Sequence, residues 1–184
     1  MATTTDLGPT TTTQTTAQGR KPWRFSGKAR KLVLLVHIVS AGIWIGVDVI
    51  VAVLVCVGWF SSDTQTQATA YQALGLVAVW PMLVSGMVCL VSGIMLGLGS
   101  KYGLVRYKWV AVKLVLNVAL VVLVFFALRP DMAETVEYGR ALGAGTPNDT
   151  DISGMFFPPA VSLTALSFAM YLSIFKPWGR TRRR

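Results

Sequence analysis

Apolar residues arrive along this chain in four long blocks, not at alternating or helical spacing. The first runs from Leu32 to Phe60 and the second from about Leu74 to Leu98. The third runs from Trp109 to Leu128 and the fourth from about Pro158 to Phe175. Each meets or approaches the ~20 residues an α-helix needs to cross a bilayer core. The pattern predicts an all-α fold, a four-helix transmembrane up-and-down bundle occupying residues 32–175. Residues 129–157 read as an external loop, residues 1–31 as a Thr-rich and then basic tail, and residues 176–184 as a second basic tail. The basic flank of the first block resembles a signal peptide. The block is nevertheless about twice the roughly 7–15 residues of a secretory h-region, and no small-residue cleavage site follows, so it reads as a retained anchor.

Composition sharpens this picture. The 184 residues are 53% hydrophobic and 14% charged, against about 25% charged in soluble domains. A soluble enzyme and a disordered chain are excluded on that ground. The net charge of +9 invites a nucleic-acid reading, but the basic residues flank apolar blocks, where they act as topology signals and contacts to anionic headgroups. No nucleic-acid partner is expected. Residues 1–19, rich in Thr, lack any apolar run and read as a disordered tail.

Lys and Arg also set the orientation. Fifteen of the seventeen lie at one end of the blocks: Arg20 to Lys31, then Lys101, Arg106, Lys108 and Lys113, then Lys176 to Arg184. Only Arg129 and Arg140 lie at the other. The bias predicts a multi-pass protein of the plasma membrane with both termini cytoplasmic. Tyr102, Tyr107 and Trp109 on the inner side, and Trp59, Tyr71 and Trp80 on the outer, match interfacial aromatic belts.

Chemistry-bearing residues are few. Cys56 and Cys89 lie at depths that differ by roughly 16 Å at 1.5 Å per residue, too far for a disulfide, and read as packing residues. His37, Trp44 and Asp48 return to within about 20° of one another on a single stripe of the first helix. Gly42 and Gly46 form a GxxxG pair on the opposite side, and Gly93 and Gly97 repeat it in the second helix. Both pairs predict close helix packing, which makes the first helix central. Ala165, Ala169 and Ser173 make a small-residue row in the fourth.

Asp48 is the most informative residue, because a carboxylate in hydrocarbon costs roughly 2.5–3.5 kcal/mol on insertion scales. Counting inward from the outer helix ends places Asp48, Ser85, Asn117 and Ser167 all about 15–18 Å deep, which predicts a midplane polar cluster. That cluster serves either as a structural clamp or as a proton, ion or ligand site. His37 is the only histidine, so a bis-histidine haem site is impossible within one chain; a His37/Met95 pair is the remaining single-chain arrangement. Lys113 lies at a similar depth. No metal site is expected, since His37 lacks nearby His or Cys partners. Phosphate loops, nucleophile elbows and HExxH motifs are absent. Asn148-Asp149-Thr150 matches a glycosylation sequon.

The stretch from Arg30-Lys31-Leu32 through His37 to Trp44 and Gly46 resembles the opening helix of a family of predicted bacterial four-helix integral membrane proteins of unknown function. The segment Gly97-Leu98-Gly99-Ser100-Lys101-Tyr102-Gly103-Leu104-Val105-Arg106-Tyr107-Lys108-Trp109, followed by Val112-Lys113-Leu114, resembles that family's second signature. The likeness covers roughly residues 28–130 and implies a location in a bacterial inner membrane but no activity. A fainter likeness to copper-resistance membrane proteins rests on the His and Trp-x-Gly alone. The expected role is a non-enzymatic, helix-packing protein that associates with itself or with a membrane complex. The alternatives are small-solute or proton transport around Asp48, or a haem- or quinone-linked redox role through His37.

Overall fold

A computed structural model describes residues 26–99, 104, 107–146 and 149–176. The Thr-rich tail, Arg20, Lys21, Arg24, Lys101, Tyr102, Arg106, Asn148 and the C-terminal arginines lie outside the described residues. Among those described, the chain is all-helical and carries four helical segments long and apolar enough to cross a membrane, of 34, 35, 36 and 23 residues. The first is one helix, α1 (Gly27–Phe60). The second joins α2 (Thr64–Val77) to α3 (Val79–Leu98). The third joins α4 (Lys108–Leu123) to α5 (Arg129–Gly143) through a π-helical stretch at Val124–Leu128. The fourth is a 3₁₀ turn, Ser153–Phe156, leading into α6 (Phe157–Phe175).

Local chemistry explains where these helices start and bend. The Ser26 hydroxyl accepts from Ala29 N at the head of α1. Asp63 caps α2, its carboxylate accepting from the Thr66 amide at 2.8 Å and the Thr66 hydroxyl at 2.6 Å. Proline has no N–H and clashes with the carbonyl four residues before it. Pro81 therefore breaks the second segment at Ala78, and Pro130, at the start of α5, follows the π-helical stretch in the third. Lys176 ends α6 in the left-handed conformation, φ 46°.

The four segments form a bundle in which consecutive neighbours run antiparallel. Along α1 and its partner, Gly58 meets Tyr71, Trp44 meets Gly86 and His37 meets Gly93, so one number falls as the other rises. Asp48 pairs with Ser162 between α1 and α6. Lys113 pairs with Ser173 between α4 and α6. α1 packs chiefly on α3 and α2 and more narrowly on α6, while α4 lies between α3 and α6. The core runs through Trp44, Val51, Leu74, Met82, Leu120, Val124 and Leu166.

Two expectations change here. The second helix starts at Thr64, not near Leu74, and most of the expected external loop is helix, since α5 occupies Arg129–Gly143. These two polar halves pack on each other: Tyr71 and Tyr138 meet edge-to-face at 5.5 Å. Gly139 lies so near Tyr71 Cβ and the Ala68 carbonyl that an added Cβ would approach them to 2.9 and 3.0 Å. Block reading missed this pair because only the apolar stretches were counted. In α5 the inward residues Met132, Thr135 and Gly139 recur at spacings of three and four, the signature of an amphipathic helix.

Candidate functional site

The predicted stripe on α1 is real in its outer two members. Trp44 and Asp48 are both 0% exposed. The Trp44 ring lies against Gly86, where an added Cβ would come within 2.5 Å of it. Asp48 Oδ2 accepts from Ser162 Oγ at 2.6 Å, while Asp48 Oδ1 and Trp44 Nε1 are buried without a partner among the described residues.

The expected midplane cluster does not assemble. Ser85 turns back on its own helix, donating to the carbonyls of Pro81 at 2.7 Å and Met82 at 3.2 Å. Ser167 faces outward. Asn117 lines a different part of the bundle. The antiparallel pairings put Asn117 roughly 10 Å inward of Asp48, seven residues along α1 at 1.5 Å each. Asp48 itself is 17 residues from Lys31, roughly 25 Å, and thus far from the end of the bundle where Lys31, Lys108 and Lys176 stand. The depth count failed because α1 extends well past the level where Trp80, Arg129 and Phe157 stand. The real partner, Ser162, was legible: Pro159, Ser162 and Leu166 form the buried stripe of α6, and Ser167 lies about 140° from Ser162 around that helix.

The inner half holds the richer site. A cavity of about 360 Å³ lies between α1, α3, α4 and α6, with His37, Gly42, Cys89, Lys113, Asn117 and Ser173 among its lining residues. His37 Nδ1 lies 3.0 Å from the Cys89 carbonyl and 3.1 Å from Ser92 Oγ. A carbonyl only accepts, so Nδ1 carries a hydrogen. The neutral ring then presents Nε2 as a bare acceptor. Lys113 Nζ donates to Ser173 Oγ at 2.8 Å and sits 4.8 Å from the centre of the Trp109 ring. Asn117 Oδ1 is buried with no partner among the described residues. Sequence reasoning named His37, Lys113 and Asn117, but it assigned Asn117 to the wrong group, read Ser173 only as part of a small-residue packing row and left out Ser92.

The glycines divide differently from their sequence motif. Nothing lies within 4 Å of a Cβ built at Gly42 or Gly46, and both glycines are exposed. This GxxxG face therefore makes no close helix contact within the chain. Gly93 makes room for the His37 ring and Gly97 for the Leu104 side chain. Of the four glycines in the two motifs only Gly97 is as tightly packed as Gly58, Gly75, Gly86 and Gly139, positions where an added Cβ would come within 3.0 Å of a neighbour.

Met95 is not among the residues lining the cavity beside His37. Among the described residues, no three His, Cys, Asp or Glu side chains gather at one point. A larger cleft, about 810 Å³, lies on the outer side between α2 and α5 and includes Arg129 and Arg140. Arg140 there is paired with Glu137 at 3.2 Å. No family model matches the chain, and no curated protein or solved structure matches it either.

Proposed function

We propose that this chain is a multi-pass plasma-membrane protein, both ends cytoplasmic, whose bundle is a non-enzymatic binder of a small amphiphilic molecule. The charge bias supports the orientation: Lys28, Arg30, Lys31, Lys108 and Lys176 stand at one end of the bundle, as the positive-inside rule requires. The observation that carries the binding reading is the convergence of His37, Lys113, Asn117 and Ser173 on one cavity whose other lining residues are apolar. An apolar pocket with a few convergent polar groups, in the range of 300–1,000 Å³, is the usual form of a small-molecule site. The resemblance of residues 28–130 to uncharacterised bacterial membrane proteins agrees with this class and adds no activity.

The test uses a neutral solvatochromic dye, Nile red, titrated into purified protein in dodecyl maltoside. Saturable blue-shifted emission lost in Gly42→Phe supports the reading. A Cβ at Gly42 meets nothing within 4 Å and Gly42 lines the cavity, so the aromatic ring is directed at the cavity, and an unchanged far-ultraviolet circular dichroism spectrum checks that the variant stays folded. Emission that is non-saturable, or unchanged in Gly42→Phe, rejects it.

A second reading, self-association, is favoured by one observation: Gly42 and Gly46 lie open on the outside of α1, where a helix of another copy can approach closely. Cross-linking in native membranes decides it, and a monomer alone ends it.

A further inference from the structure

The cavity is polarised along the membrane normal. Its cytoplasmic end holds Lys113, Ser173 and His37, and its walls become wholly apolar towards Ile45, Leu120 and Leu166. From Val110 to Leu120 along α4 this is a depth of roughly 15 Å. The free volume, about 360 Å³, accommodates roughly a dozen water-sized groups.

The charge at the inner end is unbalanced. Lys113 faces no carboxylate among the described residues, where Arg140 and Glu137 form the only ion pair. Asp48 is the one acidic residue within the four apolar blocks, and it is held by Ser162 some distance outward. Lys176, at the end of α6, adds a second positive charge to the field at Lys113. An ammonium group inside a membrane bundle is costly unless it reaches water or an anion.

The cavity also opens sideways. α1 and α6 are pinned together at Asp48 and Ser162, and Gly42, Ala165 and Ala169 line the space further in. Ile38 and Met170, which also line it, are 59% and 52% exposed, so this wall gives onto the surrounding lipid.

Resting on the binding reading above, we infer that the occupant is an acid-headed amphiphile with a single alkyl chain, a long-chain carboxylate or monoacyl phosphate. It enters between α1 and α6 from the inner leaflet, sets its anionic head on Lys113, lays the first part of its chain, about ten carbons, against Ile45, Leu116 and Leu120, and leaves the rest between α1 and α6 in the lipid. A phosphate head that keeps one O–H can also donate to Asn117 Oδ1 or His37 Nε2, whereas an ionised carboxylate only accepts and contacts Lys113 alone.

Native mass spectrometry of the delipidated protein tests this with three probes: palmitate, methyl palmitate and dioleoyl phosphatidylglycerol. Palmitate binds one per chain, and the ester, with the same chain and no charge, binds at least about tenfold more weakly. Lys113→Gln lowers palmitate affinity by about tenfold and leaves the ester unchanged. Lys113→Arg, which keeps the charge, retains binding and shows that loss in Lys113→Gln is not misfolding. Phosphatidylglycerol binding with the same Lys113 dependence, where palmitate fails to bind, overturns the single-chain assignment and leaves only the acid head. Equal binding of acid and ester, or palmitate binding indifferent to Lys113→Gln, overturns the acid-head assignment while the cavity reading survives. If neither palmitate nor ester binds, and Nile red also fails, the cavity reading itself is lost.

Discussion

Replacing Gly86 with alanine exchanges one hydrogen for a methyl group, yet the structure predicts a clear loss of stability. The new Cβ would stand 2.5, 2.8 and 3.1 Å from three carbons of the Trp44 ring. Carbon atoms settle at about 3.5–4.0 Å, so ring or helix must move by about 1 Å. The ring has nowhere to go, being 0% exposed and held by the core of α1, α3 and α6. Overpacking of this kind costs about 1–3 kcal/mol. Alanine also gains about 1 kcal/mol of helix propensity over glycine, which would mask part of the cost. Gly42→Ala supplies the control, because it collects the same propensity gain where nothing lies within 4 Å. The difference between the two variants therefore isolates the steric term, about 1–3 kcal/mol. Equilibrium unfolding in mixed dodecyl maltoside and SDS micelles, followed by far-ultraviolet circular dichroism, measures it. Adding Trp44→Phe to Gly86→Ala should recover part of the loss as a coupling of about 0.5–3 kcal/mol. Should the two alanine variants unfold within about 0.5 kcal/mol of each other, the Trp44–Gly86 contact described here is wrong.

Three further outcomes are expected. Ser162→Ala, which leaves the buried Asp48 carboxyl without its hydrogen bond, destabilises by about 1–3 kcal/mol in the same assay, whereas Ser167→Ala, on the outer face, has no measurable effect; the reverse order would restore the midplane cluster. The Thr66 hydroxyl and amide hold the Asp63 carboxyl below its ordinary value of 3.8. Its folded pKa being depressed, the cap contributes above the ordinary pKa and is lost as pH falls through the depressed one, so hydrogen exchange at the Thr66 and Gln67 amides rises on acidification relative to the Asp63→Ala variant. A constant ratio between the two proteins from about pH 5 downward would show that the cap does not form. In a background lacking Cys56, Thr146→Cys reacts with a membrane-impermeant maleimide added to intact cells, and labelling only after permeabilisation would invert the topology.

Hydrophobic blocks alone determined that this is an all-helical chain with four segments long enough to cross a membrane, because the bilayer length needs about 20 apolar residues and no other soluble pattern supplies them. The periodicity of α1 also placed Trp44 and Asp48 on one buried stripe, since helical phase is a property of spacing. Phase was equally available for Ser162 on α6, and counting depth instead of phase selected Ser167. The polar helices Thr64–Ala73 and Arg129–Gly143 were hidden for a different reason: they bury small residues, Ala68 and Gly139, against each other, and such contacts leave no apolar run to see. Which glycines pack was undecidable from GxxxG spacing, because Gly42 and Gly86 differ only in whether a neighbour's ring arrives. The same holds for the cavity. His37, Cys89, Lys113 and Ser173 belong to four helices, and only the antiparallel register that pins Asp48 to Ser162 and Lys113 to Ser173 brings them to one level, around one cavity.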